Sequence, residues 1–464
     1  AGIPHPSNMY WMPGVSLLAA AAMAAFGDSF RAAQLPSILL TATLPMLVAW
    51  LSLQLFHARD RAMMAGMLAL FPGFFLAFFL TTDAFALYAW VGAATLFAIA
   101  SARQAPTSGR WLLAGVLAAL CHWIRADGLL MLVVGLAAAL TVSGARLRGA
   151  AVLVVGYGLI MLPWWARNQM VVGSPFAAGL SRSLWFTDYD DLYAFPAAGL
   201  TAARWWASGA GAIAGVRLAA LWSNLQTLVV VNGLVFLAPL MALGAWRSRS
   251  HPYIRSNLLY LALLLLMMSF VFPFAGPRGG FFHSSTAVMP FLWAVAPVGL
   301  SAVIEVGVRR RGWDAGRAGR GFGIACIVLA AMVSLWVFHS RAVAPVAGGW
   351  AWQANQARHQ AIARAFPEIR GTAGAIAAND PPGLYLAVDS PVIPIPDGDL
   401  AALLQAAAAY DAAWVVLEAD HPIDLAWLYD QPTSQAGLTL RAQAVSPQGT
   451  PVYLFRIGPP GEAE

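Results

Sequence analysis

The sequence contains no lysine: all 27 of its Lys and Arg positions are arginine, against 21 Asp and Glu. Charge of either sign is scarce, at 10% of 464 residues, where a soluble domain carries roughly 25%. This excludes an ordinary soluble domain. The net charge of +6 comes largely from short arginine-bearing loops. It marks topology and headgroup contact, and it excludes a nucleic-acid partner. Arginine-only usage fits a GC-rich genome and also suits bidentate phosphate binding. The two cysteines, Cys121 and Cys326, each lie in an apolar run. They read as small core residues rather than a disulfide or metal pair. No initiator methionine, signal peptide or first span precedes Ala1-Gly2-Ile3-Pro4, so the sequence reads as a piece starting inside an exposed loop.

What is abundant is hydrophobicity, at 60% of residues with a mean hydropathy of +0.67. The apolar runs are continuous rather than alternating, and lipid admits only helices or closed barrels. The expected fold class is an α-helical polytopic membrane protein of about ten transmembrane helices, with a small C-terminal α/β domain.

Arginine marks the cytoplasmic loops, at 57–61, 103–110, 146–148, 247–255 and 309–320. Between them, spans are expected at 34–56, 62–80, 83–100, a hairpin of two short helices over 111–142, then 150–165, 224–245, 257–274, 285–306 and 322–338. Segment 13–26 is too short to cross and reads as a juxtamembrane helix on the exterior face. A long exterior loop, 169–222, carries Asp188, Asp190 and Asp191 among Trp185, Tyr189 and Tyr193. The expected division is 1–341, a transmembrane domain including that helix and loop, and 342–464, a soluble exterior α/β domain. In the latter, strands are expected at 383–388, 413–418 and 452–456, and helices at 359–366 and 400–409.

On this topology the exterior ends of the spans gather Asp83, Arg125, Asp127, Arg167, Arg278 and His283. Asp83 interrupts an apolar run from Met63 to Ala100, where an ionisable group is costly unless it does something. Exterior loops normally lack Arg. A ring of Arg there suits a phosphate or pyrophosphate headgroup, and a carboxylate beside it suits a general base or a cation ligand. Each residue also has a plainer reading. Asp83 with Thr82 caps the following helix. Arg125 and Asp127 form an ion pair within their hairpin. Arg167 anchors a helix end to headgroups, and His283 is a satisfied interfacial histidine. Tyr10 and Trp11 belong to an aromatic belt, and the three loop aspartates are either solvated or a cation site.

Four stretches, taken in order, resemble the GT-C glycosyltransferases of the protein O-mannosyltransferase and lipid A aminoarabinose transferase type. They are Pro6-Ser-Asn-Met-Tyr10-Trp11-Met12-Pro13; Asp83 at the end of a span; Pro163-Trp164-Trp165-Ala166-Arg167-Asn168 followed by Gly173-Ser-Pro175-Phe176; and Gly280-Phe281-Phe282-His283-Ser284-Ser285. The likeness runs from residue 1 to about 341. It implies sugar transfer from a polyprenyl-phosphate-linked donor to a lipid, protein or glycan acceptor, in a bacterial cytoplasmic (inner) membrane. Asp83 is then catalytic, assisting or holding a divalent cation. Tyr10, Arg125, Asp127, Arg167, Arg278 and His283 are substrate-binding, and membrane lipids are the surrounding partner. The family's principal catalytic Asp lies upstream of the aromatic-Pro stretch, before Ala1, so this stretch alone is not expected to hold the complete catalytic set. The rival readings are a transporter or flippase of lipid-linked sugars, a polysaccharide polymerase or ligase, and a non-catalytic scaffold.

Overall fold

A computed structural model describes residues 11–142, 146–176 and 182–458. The chain divides into two compact units. Among the described residues, one comprises 11–176 with Ala214–Phe338; the other comprises 182–213 and 339–458.

The first unit is helical. Its main helices are α1 (Gly14–Phe26), α2 (Phe30–Phe56), α3 (Arg59–Leu70), α4 (Phe85–Gln104), α5 (Ser108–Ile124), α6 (Leu129–Leu140), α7 (Arg146–Val172), α8 (Ala210–Gln226), α9 (Ala238–Arg247), α10 (Pro252–Leu266), α11 (Met289–Arg311) and α12 (Ala315–Phe338). With 13 residues, α1 rises about 20 Å, short of a hydrocarbon core of about 30 Å. Seven helical segments are long and apolar enough to cross a membrane; Arg59–Leu70 with Gly73–Phe79, bent by 49°, makes an eighth. The hairpin expected over 111–142 is present as two shorter apolar helices, Ser108–Ile124 and Ala126–Leu140.

The span expected at 224–245 is not one helix. The crossing segment is Ala210–Asn232. The backbone then breaks locally, with Leu234 and Val235 at positive φ and the Val235 N–H bonded to the Val229 carbonyl. It continues in the same direction along α9, from Asn232 bonded to Ser285 to Arg247 paired with Glu305. Pro239 sits in the first turn of α9, where its missing N–H costs nothing and its fixed φ starts a new helix.

Helices cross closely where glycines face a neighbouring backbone. A Cβ on Gly115 of α5 would lie 2.0 Å from the Leu153 carbonyl oxygen of α7, and one on Gly156 would lie 2.4 Å from that of Leu112. The same reciprocal contact joins α9 and α11, at 2.0 Å for Gly244 and 1.9 Å for Gly299. Without side chains at these points the backbones touch, which supplies packing that lipid exclusion does not.

The second unit is an α/β domain. Strands β1 (Ala375–Ala378), β2 (Val392–Pro394), β3 (Ala412–Leu417), β4 (Leu438–Val445) and β5 (Pro451–Ile457) form one sheet in the order β2-β1-β3-β5-β4. Here β1 is parallel to β2 and β3, and β5 is antiparallel to β3 and β4. Helices α13 (Ala354–Ala365), α14 (Pro381–Val388) and α15 (Leu400–Ala409) accompany it. The strand expected at 383–388 is therefore α14. Its alternating apolar residues mimic a strand, but the Asp380 side chain accepts the Gly383 N–H (3.2 Å) and Pro381 opens the first turn, which starts a helix.

The expected loop 169–222 is shorter in the structure, because α7 runs to Val172 and α8 begins at Ala210. Part of it also groups differently. Segment 182–213 belongs with the C-terminal residues, where the Asp397 N–H bonds the Tyr193 carbonyl at 3.1 Å and Phe195 meets Tyr410 at 6.0 Å.

Candidate functional site

The turn before α4 carries Asp83. One carboxylate oxygen accepts the Ala84 N–H; the other meets His283 Nε2 at 3.1 Å. His283 Nδ1 lies 2.7 Å from the Gly279 carbonyl. Both ring nitrogens thus face acceptors, and both contacts are hydrogen bonds only when the ring carries two protons. The ring also stacks on Phe85, with centroids 4.1 Å apart. Burial alone would raise the Asp83 carboxyl. The hydrogen bond and charge of His283, the Ala84 N–H and the charge of Arg125 outweigh it and hold the group below its ordinary value. About half of the Asp83 side chain remains exposed (48%), so it is ordered yet open to a ligand.

His283 sits on a short helical turn after a kink at Arg278 and Gly279, where Gly279 has φ 113°. That conformation favours glycine and turns its carbonyl toward His283. The next residue, Ser284, reaches a second pair. Arg125 Nε is shared between Asp127 Oδ1 (3.0 Å) and Ser284 Oγ (2.9 Å), and Ser284 Oγ also donates to Asp127. Tyr260 donates to the Ser284 carbonyl at 3.2 Å, and its hydroxyl meets that of Tyr88 at 3.0 Å. The residues 279–284 therefore stitch Asp83 and Arg125 into one site.

The hairpin tip holding Arg125 and Asp127 is tight. A Cβ on Gly128 would lie 2.2 Å from the Cys121 carbonyl oxygen, so only glycine closes it. The Arg125 and Asp127 side chains are largely buried, at 15% and 7% exposure. Among the described residues, Arg125 makes its hydrogen bonds through Nε alone. Its two terminal nitrogens make no hydrogen bond there and so retain four N–H donors, the groups that grip a phosphate.

The expected set is thus partly united. Asp83, His283, Arg125 and Asp127 are joined through Ser284 and Gly279, and the ion pair expected of Arg125 and Asp127 is present. Arg167 lies near the end of α7, donating to Asn168 Oδ1 at 3.0 Å and lying 4.9 Å over the Trp164 ring. Trp164 in turn meets Trp123, two residues before Arg125, at 6.5 Å. Arg278 is exposed in the kink. Tyr10 falls outside the described residues. Asp191 lies in the other unit, with Asp188 and Asp190. It pairs with Arg204 at 2.8 Å and accepts the Thr187 and Asp188 N–H groups, so it braces its own loop. Among the described residues, no group of three or more His, Cys, Asp or Glu is arranged to hold a metal ion. Sequence reasoning missed Ser284, Tyr260 and Tyr88. Ser284 had a signal, standing beside His283; the two tyrosines had none, lying inside apolar helices.

Residues 5–166 match the family described as dolichyl-phosphate-mannose-protein mannosyltransferase, a stretch that holds Asp83, Arg125 and Asp127. No curated protein matches the sequence. The fold is similar to ArnT from Cupriavidus metallidurans in the apo state, with 12% identity, TM-score 0.54, and 97% of this chain and 89% of that one covered. The same protein bound to undecaprenyl phosphate is similar at 11% identity and TM-score 0.52, covering 97% of this chain and 89% of that one. The oligosaccharyltransferase AglB from Archaeoglobus fulgidus, in complex with an inhibitory peptide and a dolichol-phosphate, is similar at 14% identity and TM-score 0.53 over 96% of this chain. This chain spans 66% of that protein's length, just under two thirds. At these identities the likeness shows the fold.

Proposed function

We propose that this chain, a member of the GT-C glycosyltransferase superfamily, transfers a sugar from a polyprenyl-phosphate-linked donor to an acceptor on the exterior face of a bacterial cytoplasmic membrane. The observation that carries the reading is Arg125, held through Nε by Asp127 and Ser284 with its terminal N–H groups unused, in one cluster with the half-exposed Asp83. An acceptor hydroxyl oxygen attacks the anomeric carbon while the bond from that carbon to the phosphate oxygen breaks. The polyprenyl phosphate leaves with both electrons of that bond. Arg125, with Arg167 and Arg278 at the same surface, stabilises the negative charge that grows on it. The hydroxyl proton passes to a carboxylate, in which Asp83 assists, oriented by His283. The terminal unit lies on the same exterior side. The bound undecaprenyl phosphate and dolichol-phosphate of the structural relatives support this class of donor.

The test uses the full-length protein and a radiolabelled polyprenyl-phosphate sugar. Asp83→Asn is expected to lower transfer by at least roughly 10²-fold, the usual worth of a positioned acid–base group. Unchanged transfer in a folded D83N protein sinks the role of Asp83.

A further inference from the structure

The opposite end of α4, α5 and α7 from Asp83 carries a second concentration of donors. A cavity of about 250 Å³ opens there, lined by Pro106, Thr107, Ser108, Trp111, Arg148 and Gly149. Thr107 caps α5, its hydroxyl accepting the Arg110 N–H at 3.3 Å. The first N–H groups of that 17-residue helix have no intrahelical acceptor. Trp111 is 2% exposed, and its indole N–H makes no hydrogen bond among the described residues. It abuts Gly149, where a Cβ would lie 2.9 Å from Nε1, and both residues line the cavity.

The charge around this cavity is of one sign. Arg148 is in the wall; Arg103, Arg110 and Arg146 lie in the adjoining segments, and 101–112 and 146–149 contain no Asp or Glu. None of these arginines joins an ion pair among the described residues. Arg110 is turned to the Ser101 and Ala105 carbonyls, which leaves Arg148 for a ligand. Guanidinium, indole N–H, hydroxyls and helix-start N–H groups together form a donor set without a counter-anion, complementary to phosphate oxygens. The 20 residues of α4 span about 30 Å, so the cavity lies a membrane thickness from Asp83.

We propose that this cavity binds a phosphate-bearing group at the membrane surface opposite Asp83, either a phospholipid headgroup or free phosphate. The site is separate from the one described above and does not depend on the reading given to it.

Native mass spectrometry of the full chain, titrated with phosphatidylglycerol, tests the proposal. Arg148→Gln is expected to weaken the tightest binding step about fivefold, the worth of one arginine at an anionic surface. Trp111→Phe, which keeps an aromatic ring but removes the indole N–H together with the five-membered ring, weakens the same step. Arg311→Gln, in another loop, leaves it unchanged. Displacement of the lipid by millimolar inorganic phosphate, lost in R148Q, assigns the free anion; no displacement assigns the headgroup. Binding within twofold of the unsubstituted protein in both R148Q and W111F overturns the proposal. If R148Q does not fold, W111F alone decides.

Discussion

Asp83 is held by two hydrogen bonds from opposite directions, the Ala84 N–H and His283 Nε2, so its carboxylate is aimed rather than free. This has a pH consequence. Its value in the folded protein is lower than its ordinary one, so the stabilisation it contributes is complete above the unfolded carboxylate range, about pH 4. It is lost as pH falls through the lower folded value. Thermal midpoints of the unsubstituted protein and D83N are expected to differ at pH 7 and to converge in acid; a gap that stays constant down to pH 3 contradicts this. Arg125 makes a different demand. Arg125→Lys keeps the charge but loses the planar fork, so KM for the polyprenyl-phosphate donor is expected to rise roughly tenfold or more, through loss of a bidentate contact. Asp127→Ala leaves a buried guanidinium unpaired and is expected to cost about 3–5 kcal/mol, read as a lowered midpoint in detergent. An unchanged midpoint would mean that the pair is not desolvated.

At the scale of elements, the site depends on two tight turns facing each other. One is the hairpin tip closed by Gly128; the other is the kink at Arg278–Gly279. Both are carried on helices locked by backbone contact, so their spacing is set by glycine positions distant from the chemistry. Gly115→Leu and Gly299→Leu each push a side chain into a carbonyl about 2 Å away. Overpacking of this kind costs about 1–3 kcal/mol or more. Each is expected to lower the thermal midpoint, and G115L also to lower transfer by moving Arg125. Full activity in G115L would show that the hairpin is not positioned by its crossing with α7.

At the scale of the molecule, charge placement sets orientation. The arginine-rich junction 309–320 and the C-terminal unit are expected on opposite sides of the membrane. In a Cys121→Ala, Cys326→Ser background, a single cysteine at exposed Gln431 should react with a membrane-impermeant maleimide in intact cells. One at exposed Ala315 should react only after permeabilisation. The reverse pattern would place the Asp83 site on the cytoplasmic side.

The membrane class, the hairpin over 111–142, the short α1 and the presence of a small C-terminal sheet region were legible in the sequence. Hydrophobic periodicity, run length and composition are local quantities. Asp83, Arg125, Asp127 and His283 stood out as well, because charge in an apolar context is conspicuous without coordinates, and they lie in one hydrogen-bonded cluster. Three features were not. The break at Gly233–Leu237 is written in residues that also suit a continuous span. The helix at Pro381–Val388 depends on a cap that outweighs an alternating pattern. The tyrosines behind Ser284 look like core until folding brings α10 against α4. The sequence determined which groups are costly to bury. Only the tertiary structure decided which of them meet, because the 200 residues between Asp83 and His283 are closed by packing that no local pattern encodes.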